Sequence, residues 1–256
     1  MSLDLGESIR QQFGAAAAKY ASSPVHSGGP NLDAMLERAA LTGGERVLDV
    51  GCGAGHTALA FAPHVAEVVA LDMTQQMLDE AGRLAAQRGL PNIAFRRGFA
   101  EALPFPDGSF DVVTSRYCAH HYADAACATR EAARVLRARG RYLLVDVIAL
   151  EEGMQDTYLN ALEVLRDPSH VRDYSASQWQ AMFGEAGLAS SVVAQWKLRL
   201  EFEPWLARIG TARTLAEGIR SLMDAAPREV REALELSQAT GYDFTIPVAL
   251  VEGVRR

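Results

Sequence analysis

The 256-residue sequence holds only three cysteines, Cys52, Cys118 and Cys127, an odd number with no CxxC pair. That usage fits reduced thiols and argues against a disulfide framework or a zinc knuckle. Basic charge is also in deficit. Twenty-five Lys and Arg face 32 Asp and Glu, a formal charge of −7, so no overall basic field exists to hold nucleic acid or an anionic membrane. No apolar run is long enough to span a bilayer, and MSLDLGESIR places Asp4 and Glu7 where a secretory signal needs a basic start and an apolar core. The expectation is a cytoplasmic protein. What is present is 49% hydrophobic and 22% charged residues, an ordinary globular balance that supports one large core without staples.

Strand-length runs rich in Val and Leu alternate with helix-length stretches. An amphipathic opening segment, SIRQQFGAAAAKYASS, predicts a helix, and a second is expected over 31–40 after the turn-forming SGGP. Strands follow at 46–50, 67–71, 93–97, 110–115 and 141–149, with helices from Ala54, over 75–88 and over 124–137. This alternation implies an α/β fold with a parallel sheet covered on both faces. Further on, SASQ at 175–178 reads as a capping box for a helix ending at Gly187, and SVVAQWKLRL as a strand. Residues 204–238 read as two or three short helices punctuated by Pro204, Gly210, Gly218 and Pro227. A final strand, DFTIPVALVEGV, carries Pro247, which suggests an edge strand or a bulge.

Chemistry gathers at the end of the first strand. VLDVGCGAGH puts Asp49 near the strand end and Gly51, Gly53 and Gly55 on the turn into the next helix, where missing side chains let backbone approach a ligand. The spacing is GxGxG, with His56 where a dinucleotide fold places its third glycine. A carboxylate at Asp49 suits a cationic ligand better than a pyrophosphate. Asp72, at the end of VVALD, is placed to accept hydrogen bonds from a ribose diol, and Met73 to pack on an adenine face. Taken alone, Asp72 reads equally well as an acid at a helix start. Together the two acids describe S-adenosylmethionine.

VLDVGCGAGH, VVALDMT, RRGFAEALPFPDGSFDVV and EAARVLRARGRYLLVD resemble the successive motifs of class I S-adenosylmethionine-dependent methyltransferases, in the subgroup similar to ubiquinone and menaquinone biosynthesis C-methyltransferases. The resemblance implies a doubly wound, seven-stranded, mostly parallel Rossmann-like sheet, the last strand antiparallel. It also implies one domain, with a helical lid (1–44), a cofactor core (45–150) and acceptor-side helices with the last two strands (151–256). A helical insertion would precede the last strand. Carried over, it places methionine against Asp49, Gly51, Cys52 and Gly53, ribose on Asp72, and adenine between Met73 and the Phe99, Ala100, Glu101 segment. Many relatives have Asp where Phe99 stands, so a more apolar adenine pocket is expected. Arg116 would contact the methionine carboxylate or its surrounding backbone, Tyr20 would close over the cofactor, and His26 would lie nearby. For Phe13 ordinary core packing is the expectation.

His120 and His121, in SRYCAHHYAD, are the candidate catalytic residues, since an imidazole near neutral pKa takes a proton from an oxygen or nitrogen acceptor. Adjacent positions on a short helix face different ways, so at most one is expected to reach the acceptor; packing or substrate orientation is the competing role. Cys118 with these histidines compresses the ligands onto little more than one helical turn, and no metal is expected. RDPSHVRDYS (166–175) gathers Arg166, His170, Arg172 and Tyr174 into one loop, read equally as a solvated loop or an anionic-acceptor contact. The expected activity is methyl transfer to a small-molecule acceptor, without nucleic acid or membrane as partner. The alternatives are a nicotinamide-dependent oxidoreductase, disfavoured by GxGxG and Asp49, and a non-catalytic cofactor-binding regulatory module. A nucleic-acid methyltransferase would need a basic appendage and an NPPY-like motif where SRYC stands.

Overall fold

The computed structural model describes residues 4–21, 27–237 and 241–256. The last residues of the predicted opening helix, and His26, lie outside the described residues. The chain runs α1 (Leu5–Ala21), α2 (Pro30–Ala39), β1 (Arg46–Val50), α3 (His56–Phe61), β2 (Glu67–Asp72), α4 (Gln75–Gln87), β3 (Ile93–Arg97), β4 (Phe110–Arg116), α5 (Ala125–Val135) and β5 (Leu136–Val147). It continues α6 (Gly153–Arg166), α7 (Ala176–Glu185), β6 (Leu188–Leu200), α8 (Phe202–Ile209), α9 (Arg213–Asp224), α10 (Arg228–Ala233) and β7 (Phe244–Arg255).

The seven strands form one sheet in the order β3-β2-β1-β4-β5-β7-β6, with β7 the antiparallel member. Val47, Leu48 and Val50 of β1 are buried on alternating faces, which a doubly covered parallel sheet requires. One face packs on Ala128 and Ala132 of α5 and on Trp179 and Phe183 of α7. The other packs on Leu32 and Met35 of α2, Phe61 of α3 and Leu78 of α4. A satellite cluster joins Leu159 and Leu162 of α6 to Trp205, Ile219 and Val230 of α8 to α10, against Phe244 and Ile246. The chain reverses its direction of winding between β1 and β4, so the carboxyl ends of those strands open a crevice at the switch point.

Three details depart from the sequence reading. Pro247 sits in an interior strand, between β5 and β6, and the bulge lies on β6 between Val192 and Ala194. The proline is accommodated because the β5 register ends at the Val147–Val248 pair; the Pro247 carbonyl still accepts from the Ile148 amide, and its missing N–H falls where the ladder stops. α3 begins at His56 rather than Ala54, since Gly51, Gly53 and Gly55 all take positive φ and hold the preceding turn open. Gly218 interrupts nothing inside α9, whereas Gly210 ends α8 in the left-handed conformation. The helix α6 runs directly into the 166–175 loop. The capping box at Ser175 and Gln178 is present. Among the described residues no helix is long and apolar enough to cross a membrane.

Candidate active site

Each glycine of the β1–α3 turn has a separate task. A Cβ on Gly51 would lie 2.0 Å from Cys118 Sγ, and one on Gly55 would lie 2.8 Å from the Ala81 Cβ, so both permit close packing. Gly53, at φ +52°, would meet nothing within 4 Å and stands bare toward a cavity of about 240 Å³. The Gly51 and Cys52 amides donate to the Leu71 carbonyl at 2.8 and 3.0 Å, fixing the turn to the end of β2. Asp72 finishes the clamp. Its Oδ2 accepts from the Gly53 amide at 2.9 Å and its Oδ1 from the Thr74 amide at 2.8 Å. Burial raises its pKa, and these amides oppose the rise.

The cavity brings together most of the residues singled out from sequence. Gly51, Cys52 and Gly53 line it from the turn after β1, Asp72 and Met73 from the end of β2 and the residue beyond it, and Phe99, Ala100 and Glu101 from the loop after β3. Arg116, His121 and Tyr20 complete its wall. Phe99 is 48% exposed, which puts it at the mouth. Glu101 Oε1 accepts from the Ala123 amide at 2.8 Å, tying that loop to the segment after the histidines. Arg116 is buried; its Nε donates to Thr57 Oγ1 at 3.0 Å and its Nη1 to Asn31 Oδ1 at 3.1 Å.

Asp49 is not in that wall. Only 1% exposed, it accepts from Thr114 Oγ1 at 2.9 Å and from the Ala58 amide at 3.1 Å, anchoring the first turn of α3 behind the glycines. Burial pushes its pKa up to about 7, with the Thr114 hydrogen bond and the Arg116 charge opposing. Phe13 packs against the small buried cluster of Ala17, Ala54 and Met77, in keeping with the core-packing expectation, and has a second role. It lines the cavity, with its ring edge on Tyr20 at 5.5 Å and on His121 at 4.9 Å. Thr74, the last residue of VVALDMT, also lines it, as do Leu5, Gly6 and Ile9 of α1, Thr57 and Met77, which lie outside the quoted motifs.

The histidines are separated by their partners. Asp146, at the end of β5, accepts from the Ala119 and His120 amides at 2.7 and 3.2 Å through Oδ2, while its Oδ1 meets His120 Nδ1 at 2.7 Å. Burial alone would lower the His120 pKa, but the Asp146 carboxylate overrides it and raises the value to about 9, so this imidazole is protonated at neutral pH. His121 is driven the other way, by burial and by the neighbouring His120 charge, with ring centroids 4.2 Å apart. Its Nδ1 lies 3.0 Å from the Ser169 carbonyl, which can only accept, so Nδ1 carries the proton and Nε2 keeps its lone pair. Neither ring therefore has the near-neutral pKa expected from sequence. Of the two, only His121 lines the glycine cavity.

A second cavity, of about 70 Å³, lies on the other side of that wall. Phe13, Tyr20, Tyr117 and His121 line both. Tyr117 adopts φ +53°, a strained conformation for a non-glycine residue, and its hydroxyl accepts from Asn31 Nδ2 at 2.8 Å. His120, Glu163, Arg166, Asp167, Asp173 and Arg208 add polar groups to the second lining, and Val147, Leu198, Leu200, Trp205 and Ile246 add apolar surface. From the 166–175 loop, Arg166, Asp167 and Asp173 reach the cavity. Arg172 instead pairs with Asp156 at 2.6 Å, His170 stacks on His120 at 5.7 Å, and Tyr174 packs on Trp179. Among the described residues no cluster of His, Cys, Asp and Glu is arranged to hold a metal ion.

The family profile described as a methyltransferase domain matches residues 48–144. The uncharacterized methyltransferase YcgJ of Bacillus subtilis is 41% identical over 247 residues, 95% of this chain and 98% of that protein. Its crystal structure superposes with a TM-score of 0.86, covering 88% of this chain and 98% of that one. The uncharacterized protein YafE of Escherichia coli is 40% identical over 79% of this chain and 97% of its own length. A demethylmenaquinone methyltransferase of Deinococcus radiodurans is 36% identical over 56% of this chain and 61% of its own. With the seven-stranded sheet and the glycine turn at its switch point, these matches place the chain in the class I S-adenosylmethionine-dependent methyltransferase family.

Proposed function

We propose that the protein transfers a methyl group from S-adenosylmethionine to a small-molecule acceptor held in the second cavity. The observation that carries this reading is the common wall: Phe13, Tyr20, Tyr117 and His121 border a glycine-floored cavity on one side and one lined by both charged and apolar side chains on the other. The first cavity suits the cofactor by its chemistry. Gly53 offers backbone with no Cβ in the way, and Asp72 keeps lone pairs for a ribose diol after accepting its two amides. Met73, Phe99 and Ala100 offer apolar surface for adenine. Arg116 supplies a cation for the methionine carboxylate, and Asp49 holds the turn from behind through Thr114 and the Ala58 amide. Bound there, the cofactor supplies an activated sulfonium methyl.

The chain's own tasks are then to position, to exclude water and to receive a proton. Leu5, Ile9 and Phe13 of α1 roof the site with apolar surface. His121, its Nδ1 proton fixed on the Ser169 carbonyl, keeps an Nε2 lone pair, 3.9 Å from Asp167 Oδ2, with which it accepts the proton of an oxygen or nitrogen nucleophile. His120, protonated and held by Asp146, keeps its neighbour neutral. Incubation of the protein with methyl-labelled S-adenosylmethionine and a fractionated metabolite extract is expected to label a small-molecule fraction. H121Q should lower kcat about 10²-fold while leaving the cofactor KM near its wild-type value. An extract that stays unlabelled, or H121Q at full rate, contradicts the transfer reading or the base assignment respectively.

A further inference from the structure

The second cavity contains two groups whose bonding is unfinished. Arg208, near the end of α8, lines it half-buried, and among the described residues it makes no hydrogen bond and no ion pair. Its neighbour Arg166 already has partners. There Nε donates to the Trp205 carbonyl at 3.2 Å, Nη1 lies 3.5 Å from Glu163 Oε2, and the guanidinium stacks 5.1 Å from the Trp205 ring. Asp173 lines the same space, 1% exposed, with Oδ2 buried and partnerless. Arg208 and Asp173 do not form an ion pair with each other. An unpaired guanidinium and a carboxyl oxygen with no protein partner around one cavity form a built pair of polar anchors.

Building on the methyl-transfer reading, we propose that the acceptor is a small monocarboxylic acid, its carboxylate on Arg208 and a hydrogen-bond donor facing Asp173, with the nucleophilic atom at the His121 wall. A single negative charge is specified because the other cations of the lining already face a carboxyl group, Arg166 that of Glu163 and His120 that of Asp146, which leaves Arg208 alone to meet an anion and disfavours a phosphate dianion. The cavity's size keeps the part of the acceptor beyond His121 small, about the volume of a handful of waters. Burial lowers the Arg208 pKa, the direction a guanidinium takes when its counterion is missing.

The test is calorimetric titration of the whole protein, with and without S-adenosylhomocysteine, by acetate, propionate and benzoate and by their amides. At least one acid is expected to bind about tenfold more tightly than its amide, and R208Q to bring the pair within about twofold, with R208K restoring part of the preference. A panel in which no acid is preferred over its amide, including one with no binding at all, overturns the proposal. So does a preference that survives R208Q. The readout is independent of turnover, so loss of the acid preference and loss of S-adenosylhomocysteine binding are separate results, the first counting against the acceptor class and the second against the cofactor.

Discussion

Asp49 and Asp72 stand 23 residues apart in sequence and do different work on the same turn. Asp72 faces the cavity and clamps the glycine loop; Asp49 lies behind it and holds the start of α3. The distinction has a measurable consequence. Folding raises the Asp49 pKa from 3.8 to about 7, so between those values the folded chain keeps a proton that the unfolded chain has lost. The associated stability is present below pH 4 or so and is lost as pH rises toward 7. D49N, which stays neutral, should remove that decline, so urea denaturation of wild type and D49N across this range should diverge in slope; parallel curves would refute the assignment. The motif residues at strand ends, Gly51, Gly53, Asp72 and Arg116, were legible because each is placed by its own local segment. Asp146, Asp173 and Arg208 were not, since their roles exist only after β5, the 166–175 loop and α8 meet.

Among the elements, α1 and α8 decide the shape of the site, and α7 decides part of its support. α1 spans the glycine cavity through Leu5, Ile9, Phe13 and Tyr20, and Gln12 ties it to α8 through the Ile209 carbonyl at 2.8 Å. α7 instead packs Trp179 and Phe183 on the opposite face, fixed at its start by Ser175, which accepts from the Gln178 amide and donates to Glu151. S175A should therefore cost about 1–2 kcal/mol in chemical denaturation and leave S-adenosylhomocysteine affinity unchanged. A change in affinity would mean that α7 communicates with the site. The capping box and the strands were readable from residue order because caps and alternation are local signals. α6 was harder to read. Its buried Leu159 and Leu162 face α8 to α10, which come later in the chain, and its start at Glu152 has no side-chain cap.

At the scale of the whole molecule, one sheet carries both cavities. Its switch point opens the glycine cavity, and the helices around β6 and β7 close the second one against it. The parallel half of this plan was legible, since helix-length crossovers between buried strands allow little else. The interior position of β7 was not, because Pro247 argues locally for an edge and only the end of the β5 ladder makes room for it. The central claim is that the glycine-floored cavity, with Asp72 at its side, is built for S-adenosylmethionine. Isothermal titration with S-adenosylhomocysteine and NAD(P) tests it most directly. The account predicts saturable one-site binding of S-adenosylhomocysteine, weakened about tenfold or more by D72N, and no response to NAD(P). Tight NAD(P) binding with no response to S-adenosylhomocysteine would contradict it.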